Sequence, residues 1–186
     1  MTEIGSNSSA PLFKSIKFYP TVFVAVVLTW GIHEFAHWQV GEWLGYQMRL
    51  TLNTATLAKG DYTSTADLLL IESAGPIITL LQGVFFYWLI RCTANSNLFV
   101  FLFLAFFMRA LAFLASFLSP NDEARIAIEL GMPFWTVPSI ITGALGVLVV
   151  VAARKPSIGT TSMVVLSLTS FVAVVTIIVA DGIIFF

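Results

Sequence analysis

The chain of 186 residues is 58% hydrophobic and only 10% charged, with a mean hydropathy of +0.93 and a formal net charge of −1. Soluble domains carry about a quarter of their residues as charges, so this composition excludes an ordinary soluble domain and points to an integral membrane protein. The near-neutral balance without a basic run argues against nucleic acid as a partner, and the single cysteine, Cys92, excludes an internal disulfide framework or a Cys-rich metal site.

A polar segment, 1–19, opens the chain with Ser6, Ser8, Ser9, Lys14 and Lys17, and 20–186 reads as a single transmembrane domain. About 20 apolar residues cross a bilayer. By that measure the expected spans are 20–42, 66–91, 97–119, 134–154 and 159–181. The first holds His33-Glu34-Phe35-Ala36-His37, an H-E-x-x-H motif that contains the only two histidines of the chain. Cleavage of a signal peptide would discard this motif, so the first span is expected to be a retained anchor. Residues four apart share a helix face, which lets His33 and His37 reach one metal ion with Glu34 beside them. Zinc suits imidazole ligands, and three protein ligands leave a fourth position for water, from which Glu34 would take a proton. One zinc ion per chain is expected. Ionisable groups at membrane depth are costly unless paired or metal-bound, which favours a functional site over a chance match.

Between the first two spans, Met48, Leu50 and Leu52 alternate with Arg49, Thr51 and Asn53. That period of two predicts a strand, and Lys59-Gly60-Asp61 reads as a turn. A strand edge cannot face lipid, so this hairpin is expected at the interface or behind helices.

The second span carries Glu72, Ala74-Gly75-Pro76 and Thr79, and the third carries Arg109. At 1.5 Å per residue, Glu72 and Arg109 lie roughly 9 and 15 Å from the same face, within reach of a buried ion pair. Ser119-Pro120-Asn121-Asp122-Glu123 reads as a helix start with Ser119 as the cap. Parity places the ends of spans one, three and five on one face, so Glu72, Asp122, Glu123 and Asp181 are the acidic residues near the histidines. Spacing alone leaves the third ligand open between Asp122 and Glu72. Glu72, Thr79 and Asn121 are also candidates to support the ligands from behind.

The intramembrane H-E-x-x-H, the Ala74-Gly75-Pro76 of the next span and an Asp after a Pro at the end of the following one together resemble the core of the site-2 protease family of intramembrane zinc metalloproteases. The resemblance covers about residues 20–130. The five expected spans make this an all-α membrane protein of about five transmembrane helices, and the resemblance implies a short membrane-associated β-hairpin between the first two. It also implies zinc on His33, His37 and Asp122, and Glu34 as the residue that activates water. The implied substrate is a transmembrane helix of another membrane protein within the lipid bilayer, with Met48, Leu50 and Leu52 positioned to capture it by strand addition. Two positions depart from the family pattern: Glu123 stands where Gly usually follows the Asp, and Thr79 where many members have Asn. The alternative function is a non-proteolytic metal-binding or scaffold protein that keeps such a site. Glu34 separates the two readings, because metal binding alone has no need of a carboxylate beside the first histidine.

Overall fold

In hydrocarbon, backbone polar groups must be satisfied within the chain, and long apolar runs do this as helices. The computed structural model describes residues 15–93, 95–154 and 158–185, and the polar start up to residue 14 lies outside them. In chain order the elements are α1 (Phe18–Trp43), β1 (Met48–Leu50), β2 (Ala55–Leu57), α2 (Thr65–Thr93), α3 (Ser96–Ala115), α4 (Asp122–Glu129), α5 (Thr136–Ala153) and α6 (Thr160–Phe185). Five of the helices, all but α4, are long and apolar enough to cross a membrane.

The distribution of side chains agrees with that reading. Large apolar residues such as Phe35, Leu81, Phe85 and Val172 point outward, while Thr29, His33, Glu72, Thr79, Arg109 and Glu123 are buried. Buried ionisable groups beneath an exterior of large apolar side chains depart from the pattern of a soluble domain and suit a lipid surround. The core centres on α3, where Phe99, Leu102, Leu104 and Ala105 are fully buried.

The hairpin differs in detail from the sequence expectation. β1 stops at Leu50, and the reversal falls at Thr51–Thr54, where the Thr51 N–H donates to the Thr54 carbonyl at 2.9 Å. β2 then pairs antiparallel with β1, with Met48 opposite Leu57, Arg49 opposite Thr56 and Leu50 opposite Ala55. Gly60, at φ +74°, bends the chain only after β2. The turn is set by two anchors remote in sequence. Asp181, near the end of α6, accepts from the Leu52 N–H at 2.6 Å and the Thr51 hydroxyl at 3.1 Å. At the other end, Glu42 of α1 accepts from the Met48 N–H at 2.8 Å. Met48 also fills the notch at Gly41, where a Cβ would lie 2.6 Å from the Met48 side chain. The hairpin is therefore strapped between α1 and α6.

The start of α4 is also shifted. Asn121, not Ser119, is the cap: its Oδ1 accepts from the Ala124 N–H at 3.0 Å while its backbone is extended. Asparagine is among the strongest capping residues, and this choice puts Asp122 and Glu123 in the first turn, where the helix dipole favours acids.

Candidate metal centre

His33 and His37 lie one turn apart on the buried face of α1, and α2 passes directly over them at Gly75. A Cβ at Gly75 would collide with both imidazole rings. The Ala74-Gly75-Pro76 motif thus has a local physical cause: only hydrogen at this position leaves room for the two rings. The cap at Asn121 brings the Asp122 carboxylate in from α4. Its Oδ2 lies 2.9 Å from His33 Nε2 and 3.5 Å from His37 Nε2, and the two Nε2 atoms are 3.1 Å apart.

The bonds behind the rings decide what these three atoms are. His37 Nδ1 lies 2.6 Å from the Ile71 carbonyl, which can only accept, so Nδ1 carries the proton and Nε2 presents a lone pair. The Thr79 hydroxyl donates to the Gly75 carbonyl at 3.0 Å and lies 3.0 Å from His33 Nδ1. Its lone pair is then the partner of a His33 Nδ1–H, which again leaves Nε2 as an acceptor. With both rings neutral, two imidazole lone pairs and a carboxylate oxygen therefore converge with no proton to share between them. Electrostatically that arrangement calls for a cation. The fit to zinc is good in size as well, since the edge of a tetrahedron with zinc-like bonds is about 3.3 Å. His33, His37 and Asp122 are the one such group of potential ligands among the described residues.

The surrounding charges point the same way. Arg109 of α3 donates to Glu123 at 3.0 Å and to Asp122 Oδ2 at 3.3 Å. Arg125 of α4 donates to both oxygens of Glu72, at 2.9 and 2.7 Å, and to Asp122 Oδ1 at 3.2 Å. Asp122 is thus held at both oxygens by two guanidiniums. Burial works against the charge on Arg125, but the Glu72 carboxylate holds its pKa above the ordinary value. Glu72 and Glu123 each have an arginine partner and Asp122 lies between both guanidiniums, so three carboxylates share two arginines and a cation at the cluster would meet an excess of negative charge. Buried charge is costly unless balanced, so the network is more complete with the ion than without it.

The expected ion pair between Glu72 and Arg109 does not form. Glu72 ties α2 to α4 through Arg125, and Arg109 ties α3 to α4 through Glu123. The depth estimate for the two residues ignored α4, which folds back after Ser119 and offers each a nearer partner. Glu123 is the buried counter-ion of Arg109.

Glu34 accepts from Trp30 Nε1–H at 3.1 Å, one turn earlier on α1, through Oε1. Together with Asn53, Asn121 and Asp122 it lines two cavities that meet at the ligand cluster. Of the supporting residues, Thr79 touches His33 and Glu72 reaches Asp122 through Arg125. Asn121 donates from Nδ2 to Glu123 at 2.7 Å.

Met48, Leu50 and Leu52 are not beside the cluster. Met48 is buried against Gly41, and Leu50 and Leu52 line a separate cavity between α1 and α6. The residues that the hairpin brings to the cluster are Asn53, Thr54, Ala55 and Thr56. The sequence reading also missed the Ile71 carbonyl, which carries no side-chain signal, and the role of Arg125. The Trp30–Glu34 spacing, one helical turn, was legible in principle. No protein-family model, curated protein or solved structure matches the chain.

Proposed function

We propose that this protein is an intramembrane zinc endopeptidase that hydrolyses a peptide bond in a transmembrane segment of another membrane protein. The observation that carries the reading is the convergence of His33 Nε2, His37 Nε2 and Asp122 Oδ2, each within 3.5 Å of the others, beside a carboxylate that binds none of them. The sequence resemblance to site-2 proteases supports the same assignment. When bound, zinc supplies a Lewis acid that acidifies water and polarises a peptide carbonyl.

The chain's own residues do the rest. Thr79 and the Ile71 carbonyl fix the tautomer and the rotation of the two rings, as partners behind metal ligands commonly do. Arg109 and Arg125 hold the Asp122 carboxylate. Trp30 occupies one oxygen of Glu34 and leaves the other as a base. Glu34 takes a proton from the water that attacks the carbonyl carbon and returns it to the amide nitrogen as the C–N bond breaks, so no net proton is consumed by the enzyme. Water reaches the cluster through the more polar cavity, bounded by Thr54, Thr56 and Arg125. A substrate helix must unwind to expose its carbonyl, because in the helix that oxygen is hydrogen-bonded.

Glu34→Gln tests the reading. It preserves shape but cannot accept the proton, so it should retain zinc and cleave no membrane-protein substrate that the wild type cleaves. Cleavage by the variant at the wild-type rate would remove Glu34 as the base. If the wild type binds zinc but cleaves nothing across a broad panel of single-span substrates, the site is a metal-binding scaffold.

A further inference from the structure

The two cavities that meet at the ligand cluster are chemically unlike. One, of about 390 Å³, runs between α1, α3 and α6, and its far part is lined by Trp30, Met108, Leu111, Ala112, Phe171 and Val174. The other, of about 280 Å³, lies under β2 and is lined by Thr54, Ala55, Thr56, Glu72 and Arg125. Only Glu34, Asn53, Asn121 and Asp122 belong to both. A peptide laid across the cluster must therefore have one flank in an apolar space and the other along a polar one.

We propose that the cleft selects the bond at which an apolar membrane segment passes into polar sequence, and that Ala112 of α3 sets the size of the apolar residue accepted beside it. This rests on the endopeptidase reading above and adds its specificity.

Two further features fit an extended chain in this position. The Ala58 N–H bonds the Gln47 carbonyl and the Thr51 N–H bonds the Thr54 carbonyl, so by antiparallel alternation the N–H and C=O of Ala55 lie on the edge of β2 away from β1. Ala55 lines the polar cavity, where that edge can pair with the polar flank. Finally, Asp181 pins the turn that carries Asn53, which keeps the border between the two cavities in place.

On the apolar side, replacing Leu or Phe of the substrate by Ala should cost about tenfold or more in kcat/KM, the range expected for lost apolar contact in a pocket. The test uses zinc-loaded full-length protein in detergent and three fluorogenic peptides as probes: a Leu/Phe block joined to a Ser/Thr block, a uniformly apolar peptide and a uniformly polar one. The expected result is cleavage at the junction of the first, at least about tenfold faster than of either uniform peptide. Equal cleavage of the uniformly apolar peptide, or cuts inside the apolar block, would overturn the proposal.

Ala112→Phe, with Ala112→Leu as the milder variant, should shift the preferred residue from Phe or Leu toward Ala while zinc content and the visible spectrum of the cobalt-substituted protein stay unchanged. An unaltered preference in either folded, metal-loaded variant would overturn the role of Ala112. If the wild type retains zinc but cleaves none of the peptides and no membrane substrate, the endopeptidase reading falls and this inference falls with it. Junction-blind cleavage, in contrast, sinks only the inference.

Discussion

Gly75→Ala is the smallest change that should disable the centre. In a helix exposed to nothing else, Gly to Ala stabilises by about 0.5–1 kcal/mol through reduced backbone freedom. At Gly75 the added methyl would occupy the space of His33 and His37 near their Nε2 atoms, closer than van der Waals contact permits. Either α2 moves away or the rings rotate. Overpacking of this kind costs about 1–3 kcal/mol, so the net loss of stability should be modest, about 2 kcal/mol or less. The effect on the metal should be far larger in relative terms. Rotation of the rings breaks the bonds of His33 Nδ1 to Thr79 and His37 Nδ1 to the Ile71 carbonyl and redirects both nitrogen ligands. Loss of one such supporting partner typically lowers metal affinity about 10–100-fold, so disturbing both should cost at least about 100-fold, or about 2.7 kcal/mol. Zinc titration by calorimetry in detergent, with a thermal melt of the metal-free protein, separates the two effects. Gly143→Ala on α5 is the control, because a Cβ there meets nothing within 4 Å. Gly75→Ala that binds zinc with wild-type affinity would refute the claim that the imidazoles face α2 at this point.

The remaining predictions follow from the network around the ligands. Thr79→Val should weaken zinc binding about 10–100-fold while Thr79→Ser restores most of it; equal affinity in all three proteins would mean that His33 is not oriented by this hydroxyl. Arg109→Met should destabilise the protein by about 3–5 kcal/mol by leaving Glu123 buried and unpaired, and Arg109→Met with Glu123→Met should recover part of the loss; thermal midpoints that show no recovery would contradict the pairing. A double-mutant cycle should give Glu72 and Arg125 a coupling of about 0.5–3 kcal/mol and Glu72 with Arg109 much less; the reverse ranking would restore the pairing expected from sequence. Asp181→Ala should release the hairpin turn and speed amide exchange at Leu52, whose N–H now bonds that carboxylate; unchanged exchange there would show that α6 does not hold the turn.

The number and rough bounds of the long helices were legible because hydropathy over a membrane-spanning window is set by local composition alone. The third predicted span, 97–119, runs four residues past Ala115, where α3 ends, since hydropathy does not register where a chain turns. The convergence of His33, His37 and Asp122 was legible through a motif and a resemblance, whereas the partners of Glu72 and Arg109 were not. Depth along a span locates a charge in one dimension, and α4 supplies the missing second one by folding back under α2 and α3. The hairpin shows the same limit. Alternation located β1, but the position of the turn depends on Asp181, about 130 residues later in the chain, and no local pattern encodes such an anchor. Gly75 was visible as part of a motif, yet its reason, two rings pressed against a helix backbone, became clear only with α1 and α2 together.

Zinc K-edge absorption spectroscopy of the purified protein tests the central claim most directly. The account predicts one zinc per chain with nitrogen and oxygen neighbours at about 2.0–2.1 Å, the outer-shell pattern of two imidazoles, and loss of the metal on substitution of either histidine or Asp122. A protein without stoichiometric zinc, a spectrum with sulfur ligation or no imidazole pattern, or full retention of the metal in His33→Ala with His37→Ala would contradict it.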